Sequence, residues 1–314
     1  RRWQPLCIHV ALSEKGTRQR QHVGESMPSS FHTILKTLGI DLSPDVIQAR
    51  PPEHRVYWGA MQGERKAVPP SDQASSMLVW RGAFDRFLRD EAAARGVTLY
   101  RDTNVDRVTR CDDGFTLKLR QKSIPSPDRI TCAFLVDASG HTGVLARSYR
   151  RKEHHLRTLA LTGHFRTGES DPPTLVESFP RGWIWSAPLA NGMRDVTVMC
   201  DTNESTGDSR TMYLHSLQAS THARTLVETA RRMGPIRGID ATPYTARRFC
   251  GDDFIFVGDA GSFIDPLSAH GVHKAMDSAL TAAIVAHTIL NRPRNREIAV
   301  RFYEDRERHI YQIS

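Results

Sequence analysis

The arrangement of apolar and polar positions changes along the chain, and this change predicts the class of fold. Residues 7–13 and 134–136 form continuous apolar runs, a pattern typical of parallel strands buried on both faces. Residues 115–119 instead alternate between apolar and polar side chains, and residues 159–198 repeat this pattern around two tryptophans. Alternation with a period of two predicts half-buried antiparallel strands.

Apolar residues at helical spacing predict helices between and after these strands. The predicted helices cover residues 29–39, 82–95, 210–232, 269–290 and 297–311, and further strands are predicted at 54–58, 97–100 and 254–257. The first two helices each end at a glycine, Gly39 and Gly96, which is the residue preferred at a helix C-terminus. Helices beside apolar strands, interrupted by antiparallel segments, indicate an α/β nucleotide-binding domain with a β-rich domain threaded through it.

The predicted domains are therefore discontinuous in sequence. We expect residues 1–50, 78–150 and 247–292 to form the nucleotide-binding domain, 51–77 and 151–246 the β-rich substrate domain, and 293–314 a C-terminal helix that is cut short.

Composition and charge narrow the class of protein. The 314 residues are 39% hydrophobic and 25% charged, as in a globular protein, and no apolar run is long enough to predict a membrane span. Five widely spaced cysteines without a CxxC pair predict neither a zinc ribbon nor a disulfide framework, so we expect a cytoplasmic protein. The net charge of +8 is concentrated most densely at residues 147–155, which could attract an anionic partner. No nucleic-acid-binding motif accompanies this charge, so nucleic acid is not expected as a partner.

The segment 257–271 has the strongest chemical signal in the chain. Its sequence, VGDAGSFIDPLSAHG, follows an apolar strand and leads into a helix. Gly258 allows a ligand to approach the backbone closely, and Asp259 can accept hydrogen bonds from the ribityl hydroxyls of a flavin. The helix after Ser268 directs free N–H groups and a positive dipole end towards the same place. This arrangement predicts a flavin site.

Four segments in this order resemble motifs of flavin-dependent halogenases and related FAD-dependent monooxygenases. They are GESMP at 24–28, RGAFD at 81–85, FLVDASG at 134–140 and GDAGSFIDPLSAHG at 258–271. The resemblance extends from about Val10 to about Leu290. It implies FAD as cofactor and a Rossmann-like FAD-binding domain of the glutathione-reductase and para-hydroxybenzoate-hydroxylase type, with an inserted β-rich substrate domain.

The resemblance also implies roles for particular residues. The residues implied to bind the cofactor are Glu14 at the adenosine ribose, Arg20, Arg81, Val105, Asp137, Gly140, Gly258, Asp259, Pro266 and Gly271. The candidate catalytic residues are Pro266, Ser268, His270 and Gly271, which would lie over the flavin, with His270 or His54 handling protons.

The chain departs from the family pattern at its start. The GxGxxG turn of the family should precede the strand that ends at Glu14, yet the first glycine of this chain is Gly16. We therefore expect the first strand and most of the first helix to be missing. Residues 8–13 should form a parallel strand beside 97–100 or 254–257, with an empty place for the first strand.

A second departure concerns halogenation. The family uses a lysine after its GESxxP segment, but no lysine lies between Leu38 and Arg65; Lys36 and Lys66 flank this interval. The tryptophan motif of the halogenases is retained only in part, as Trp183-Ile-Trp185-Ser-Ala-Pro188. The first hypothesis is therefore a monooxygenase that hydroxylates an electron-rich aromatic substrate through a flavin hydroperoxide.

Three alternatives stay open at this point. They are a flavin-dependent halogenase with a displaced lysine, a flavin reductase of the geranylgeranyl-reductase type, and a truncated remnant that binds a partner without catalysis. The substrate would be a small molecule, or an aromatic group on a carrier protein or peptide. The resemblance further implies a separate flavin reductase as electron donor.

Overall fold

The computed structural model describes residues 8–16, 24–27, 30–42, 46–49, 54–59, 77–121, 127–153, 157–168, 173–189, 192–202, 207–268 and 270–313. The strands in these ranges are β1 (Ala11–Ser13), β2 (Gly24–Met27), β3 (Ile47–Ala49), β4 (His54–Tyr57), β5 (Met77–Trp80), β6 (Thr98–Tyr100), β7 (Thr103–Cys111), β8 (Gly114–Gln121), β9 (Arg129–Cys132), β10 (Leu135–Asp137), β11 (Arg150–Lys152), β12 (Thr158–Arg166), β13 (Thr174–Phe179), β14 (Gly182–Leu189), β15 (Met193–Asp201), β16 (Arg231–Asp240), β17 (Tyr244–Ala246), β18 (Phe254–Phe256) and β19 (Ser262–Phe263). The α-helices are α1 (Phe31–Leu38), α2 (Arg81–Ala94), α3 (Ser209–Ala219), α4 (His222–Val227), α5 (Gly271–Asn291) and α6 (Arg296–Ile313).

Two pairs of parallel strands form the framework of the nucleotide-binding part. Strand β1 pairs with β6, and β10 pairs with β18. The parallel pairing predicted for residues 8–13 beside 97–100 is thus confirmed. Among the described strands, none joins these two pairs to each other.

The expected burial of both apolar runs is wrong for the described residues. Ile8, Val10 and Leu12 are 44%, 51% and 39% exposed, and Val136 in β10 is 49% exposed. Within the described part of the chain, β1 and β10 each have a single hydrogen-bonded neighbour. A parallel strand becomes buried only when other elements cover it, so its apolar pattern predicted its direction of pairing but not its burial.

A six-stranded sheet forms the β-rich part, in the order β16-β12-β15-β14-β13-β4. Its pairs are antiparallel except for β13 with β4. Leu161, Val196 and Val198 project from one face into a core shared with α3 and α4. The Tyr213 hydroxyl in α3 donates to the Val196 carbonyl at 3.1 Å. Helices α3 and α4 cover only this face of the sheet, so the opposite face lies towards the remainder of the protein.

The single helix predicted at 210–232 is wrong. The structure has α3, then α4, and then β16 from Arg231 onwards. The Ser220 hydroxyl donates to the Leu217 carbonyl and accepts from the Arg224 N–H at 3.2 Å, so its side chain replaces helical hydrogen bonds at the break. The apolar spacing resembled that of a helix up to residue 232, but the residues from Arg231 onwards pair with β12 and therefore form a strand.

Helices α5 and α6 pack against β18, and these three elements contribute to the second hydrophobic core of the protein. The predicted helices at 269–290 and 297–311 are confirmed by these two elements. In α6, the Tyr303 hydroxyl donates to the Phe256 carbonyl at 2.8 Å. The Glu304 Oε1 atom accepts from the N–H groups of Phe249 and Cys250 at 2.6 and 2.9 Å. The last helix is thus bonded directly to the strand that carries the predicted flavin loop.

None of the helices in the described ranges is long and apolar enough to span a membrane.

Candidate functional site

The loop after β18 is held tightly against α5. All three residues of β18 are buried, and the chain turns at Gly258, which is also buried and has a φ of +60°. A Cβ atom at this position would lie 3.0 Å from the Ala275 Cβ, and the Gly258 N–H donates to the Ser278 hydroxyl at 2.9 Å. Both the left-handed backbone and the close approach of the helix therefore favour glycine here.

Asp259 is the acidic group that this loop presents. Its side chain is 36% exposed, and its Oδ1 atom lies 3.8 Å from the Lys274 Nζ atom. Burial raises the pKa of Asp259, while the positive charge of Lys274, and then those of His141 and Arg81, act in the opposite direction. Arg81 also pairs with Asp85 at 3.0 Å. The structure therefore brings two predicted site residues, Asp259 and Arg81, into the same electrostatic environment.

Asp137 lies at the end of β10, and its carboxylate accepts hydrogen bonds from other residues of the protein. Its Oδ1 atom accepts from the Ser139 N–H and hydroxyl at 3.0 and 2.5 Å. Its Oδ2 atom accepts from the N–H groups of Leu145 and Ala146 at 2.7 and 2.8 Å. Because both oxygens are engaged, Asp137 shapes the loop that contains Gly140, and any role in cofactor binding would act through that loop.

A cluster of aromatic and basic side chains joins this loop to Asp259. The His141 ring lies edge-on to Tyr244 and Phe263, with centroids 5.2 and 5.3 Å apart. The Tyr244 hydroxyl donates to the Asp259 carbonyl at 2.6 Å, and the Arg150 guanidinium stacks 3.7 Å from the centre of the Tyr244 ring. Burial, together with the charge of Arg150, lowers the pKa of His141. Both effects favour the neutral form of the ring.

Of the residues expected at the adenosine, Glu14 lies at the end of the other parallel pair and Val105 lies in β7. The Glu14 N–H donates to the Tyr100 carbonyl at 3.0 Å, and the Glu14 carbonyl accepts from the Thr103 N–H at 2.8 Å, two residues before Val105. The Arg89 Nη1 atom lies 2.8 Å from both carboxylate oxygens of Glu14. No local sequence pattern indicates this ion pair, because its two residues are 75 positions apart. Arg20 lies outside the described residues.

The loop from Pro266 to Gly271 connects β19 to α5. Residues 266–268 form one 3-10 turn, and Asp265 Oδ1 accepts from the Leu267 N–H at 2.9 Å. His270 is exposed at the start of α5 and makes no side-chain capping bond, and a Cβ atom at Gly271 would meet nothing within 4 Å. The side chain of Ser268 is not among those described. His54 lies on β4 opposite Thr174, away from this loop in sequence, and its side chain is likewise not described.

The face of the six-stranded sheet opposite α3 and α4 turns towards the flavin loop. Trp183 is paired with Met199 and Trp185 with Thr197 in adjacent strands. Trp183, Met199 and Trp185 pack in one cluster with Phe263 of the loop. Trp183 is thus buried and Trp185 partly buried beside the predicted flavin loop.

The same face carries a set of buried polar side chains that no sequence motif indicates. Asp195 is fully buried; its Oδ1 atom accepts from the Thr197 hydroxyl at 2.9 Å, and its Oδ2 atom lies 3.5 Å from the His164 Nε2 atom. The Thr197 hydroxyl also lies 2.9 Å from that of Thr162. Burial and the charge of Arg237 lower the pKa of His164. Strand register alone brings these side chains together, so no local motif could have revealed them.

The loop residues fit a flavin cofactor. The Ser262 hydroxyl is buried without a hydrogen-bond partner among the described residues. Gly140 has a φ of +64°, and a Cβ atom there would meet nothing within 4 Å. The partly exposed Asp259 carboxylate and the N-terminal end of α5 lie on the same loop-helix segment as Ser262. An acidic acceptor, a hydroxyl and a helix N-terminus suit the hydroxyl and carbonyl groups of a flavin, which both donate and accept hydrogen bonds.

The basic cluster at 147–155 is partly used within the protein. Arg150 stacks on Tyr244, and the Lys152 Nζ atom lies 2.7 Å from Asp240 Oδ2. Arg147 and Arg151 remain exposed. The cluster is therefore not a uniform surface for an anionic partner.

The fold and the loop together define a Rossmann-like FAD-binding fold with a β-rich substrate region, as in the solved flavin-dependent halogenases. The chain belongs to the tryptophan halogenase family, whose model matches residues 60–312. It is 29% identical over 318 residues to the tryptophan 2-halogenase of Chondromyces crocatus, covering 95% of this chain and 60% of that protein. The resemblance to this family seen in the sequence is thus confirmed.

Two solved structures extend the comparison. The flavin-dependent halogenase CmlS matches with a TM-score of 0.83 and 26% identity, over 97% of this chain and 58% of its own. The peptidyl tryptophan dihydroxylase QhpG, essential for tryptophylquinone cofactor biogenesis, matches with a TM-score of 0.77 and 25% identity, over 97% of this chain and 67% of its own. The chain spans about 60% of the length of the curated relatives it matches.

Proposed function

We propose that this chain contributes the FAD site of a flavin-dependent enzyme that modifies an aromatic substrate, and that halogenation is the reaction. The observation that carries the proposal is the family match over residues 60–312, which includes the buried strand, the glycine loop and α5. The relatives named above as halogenases support this reaction. This ordering reverses the first hypothesis from sequence, which placed hydroxylation ahead of halogenation.

The residues that would hold FAD fall into two groups. Glu14 directly follows β1 and Val105 lies in the nearby strand β7, where they would hold the adenosine. Gly258 and Asp259 lie at the end of the β10–β18 pair, where Asp259 would accept hydrogen bonds from the ribityl hydroxyls. Bound and reduced FAD would supply the two electrons with which molecular oxygen is activated. Pro266 and Gly271 would border the same cofactor from the loop before α5.

The remaining residues bind, orient and exclude water. Trp183 and Trp185 present an apolar surface near the loop, suited to an aromatic ring and to keeping water away from the oxidant. The His141 Nδ1 atom lies 3.4 Å from the Tyr244 hydroxyl, which donates to the Asp259 carbonyl, and the lowered pKa of His141 favours the form of the ring that can accept a proton. His270 at the start of α5 is exposed and is a second candidate for proton transfer. A separate flavin reductase would supply reduced FAD.

Hydroxylation is the second candidate reaction, and the lysine pattern favours it. No lysine lies between Leu38 and Arg65, and Lys36 projects from the exposed side of α1. Lys66 lies outside the described residues. An arginine such as Arg55 is a poor substitute because its guanidinium stays protonated and is a weak nucleophile. The similarity to a tryptophan dihydroxylase supports the same alternative.

Cofactor binding is tested by titrating the protein with FAD and following the quenching of flavin fluorescence. Asp259→Ala removes a charged acceptor, and hydrogen bonds to charged groups contribute about 1.5 to 3 kcal/mol. We expect FAD affinity to fall at least about tenfold in this variant, since about 1.4 kcal/mol corresponds to a factor of ten. Asp305→Ala, on the exposed side of α6, is the matched control. Equal affinities of wild type and Asp259→Ala would remove Asp259 from the site.

The reaction itself is tested by mass spectrometry of aromatic substrates incubated with the protein, FAD, a flavin reductase, oxygen and either chloride or bromide. Tryptophan is the first probe. A product with a halogen isotope pattern supports halogenation, and loss of that pattern in Lys36→Ala or Lys66→Ala would identify a displaced lysine. A product that gains oxygen independently of halide supports the hydroxylase alternative instead.

A further inference from the structure

Lys274 is a buried lysine directly beneath the predicted flavin loop. It lies in the first turn of α5 and is only 5% exposed. Both features disfavour its positive charge, because burial removes water from the ammonium and the N-terminal end of a helix is itself positive. Burial accordingly lowers the pKa of Lys274, while the charges of Asp259 and Glu307 oppose this effect. Lysines are rarely buried unless their charge is paired with other groups.

The contacts of Lys274 show what its ammonium group holds. The Nζ atom donates to the Ser262 carbonyl and lies 3.4 Å from the Gly258 carbonyl. These carbonyls belong to the two ends of the loop that carries Asp259. The Asp259 Oδ1 atom is 3.8 Å from the same nitrogen. One ammonium group therefore joins both ends of the loop to α5 and faces its carboxylate.

The charges around Lys274 leave Asp259 as its main counter-ion. Glu307 is almost fully buried, but its Oε1 atom lies 2.5 Å from the Arg306 Nη1 atom. Arg306 also pairs with Asp277. The charge of Glu307 is thus already compensated by its own neighbour in α6. Lys274 and Asp259 remain as the ion pair at the loop.

We propose that Lys274 is a positioning residue of the flavin site, which fixes the loop 258–263 and Asp259 and favours reduced over oxidised FAD. This inference rests on the FAD binding proposed above. FAD takes up two electrons and one proton to form a reduced anion at neutral pH, so reduction adds one negative charge to the ring. A fixed positive charge nearby stabilises that form more than the neutral oxidised ring.

The decisive measurement is the two-electron midpoint potential of bound FAD, titrated with dithionite against a reference dye. Lys274→Met removes the charge at nearly constant length. We expect the ratio of affinities for reduced and oxidised FAD to fall at least about tenfold, which corresponds to a decrease of about 30 mV. Lys118→Met, at an exposed lysine of β8, is the matched control and should leave the potential unchanged.

Two further variants separate charge from packing. Lys274→Gln retains a hydrogen-bond donor without the charge, so its potential should fall as in Lys274→Met. Asp259→Asn removes the negative partner, so its potential should rise. In the protein without FAD, hydrogen–deuterium exchange of the amides in 258–263 should accelerate in Lys274→Met and less in Lys274→Gln.

The outcomes distinguish this inference from the proposed function. Unchanged potentials in the Lys274 variants, or a lowered potential in Asp259→Asn, would overturn the role of the charge while leaving FAD binding intact. Unchanged exchange in 258–263 would overturn the role in fixing the loop. A wild-type protein that leaves added FAD free would contradict the proposed function itself, and this inference with it.

Discussion

Replacing Asp137 by asparagine tests whether one carboxylate organises the loop that leads from β10 to the candidate site. The Oδ2 atom accepts from two consecutive N–H groups, those of Leu145 and Ala146, at 2.7 and 2.8 Å. Ala146 is fully buried, so its N–H has no access to water. Each hydrogen bond to a charged group contributes about 1.5 kcal/mol or more. Asparagine keeps one acceptor oxygen and turns the other into an NH2 donor, so either the two bonds from Leu145 and Ala146 or the two from Ser139 are lost. The free energy of unfolding should therefore fall by about 3 kcal/mol.

Urea unfolding followed by tryptophan fluorescence measures this change, with the slope of the transition checked against wild type. Asp90→Asn is the matched control, because Asp90 and its partner Arg101 are both more than half exposed and such pairs contribute at most about 1 kcal/mol. A loss below about 1 kcal/mol in Asp137→Asn would show that the carboxylate does not hold this loop. The loop would then have to be held by its apolar contacts.

Two other perturbations probe the attachment of α6 and the β-rich edge. Glu304→Ala leaves the buried N–H groups of Phe249 and Cys250 without an acceptor, so the free energy of unfolding measured in urea should fall by at least about 2 kcal/mol. An unchanged midpoint of the urea transition would contradict this role of Glu304. Burial opposes ionisation of Asp240, but hydrogen bonds from Lys152 and Thr242 outweigh it and lower its pKa to about 2. This stabilisation is present above the unfolded-state pKa of about 4 and is lost as the pH falls towards 2. In Lys152→Met, an NMR titration should place the pKa of Asp240 closer to 4. An unchanged pKa would show that the ion pair with Lys152 does not lower it.

Part of the candidate site was predictable because its residues are neighbours in sequence. Gly258, Asp259 and the start of α5 lie within one strand-loop-helix segment, so local pattern and turn chemistry were enough to mark it. His141 and Tyr244 are more than one hundred residues apart and meet only because their loops pack together. Lys274 looked like an ordinary helical lysine, since nothing in its local sequence shows that the loop would close over it.

The sequence by itself determined the α/β class, the strand before and the helix after the candidate loop, and the family to which the chain belongs. These properties depend on period, capping and local motifs, which adjacent residues encode. Only the tertiary structure decided which side chains are buried and which charges face one another. Val136 and Lys274 show the reason: an apolar residue of β10 is half exposed, and a charged residue of α5 is buried. Burial and electrostatic pairing depend on distant segments that pack at the same place, and that information is not contained in any local stretch of the chain.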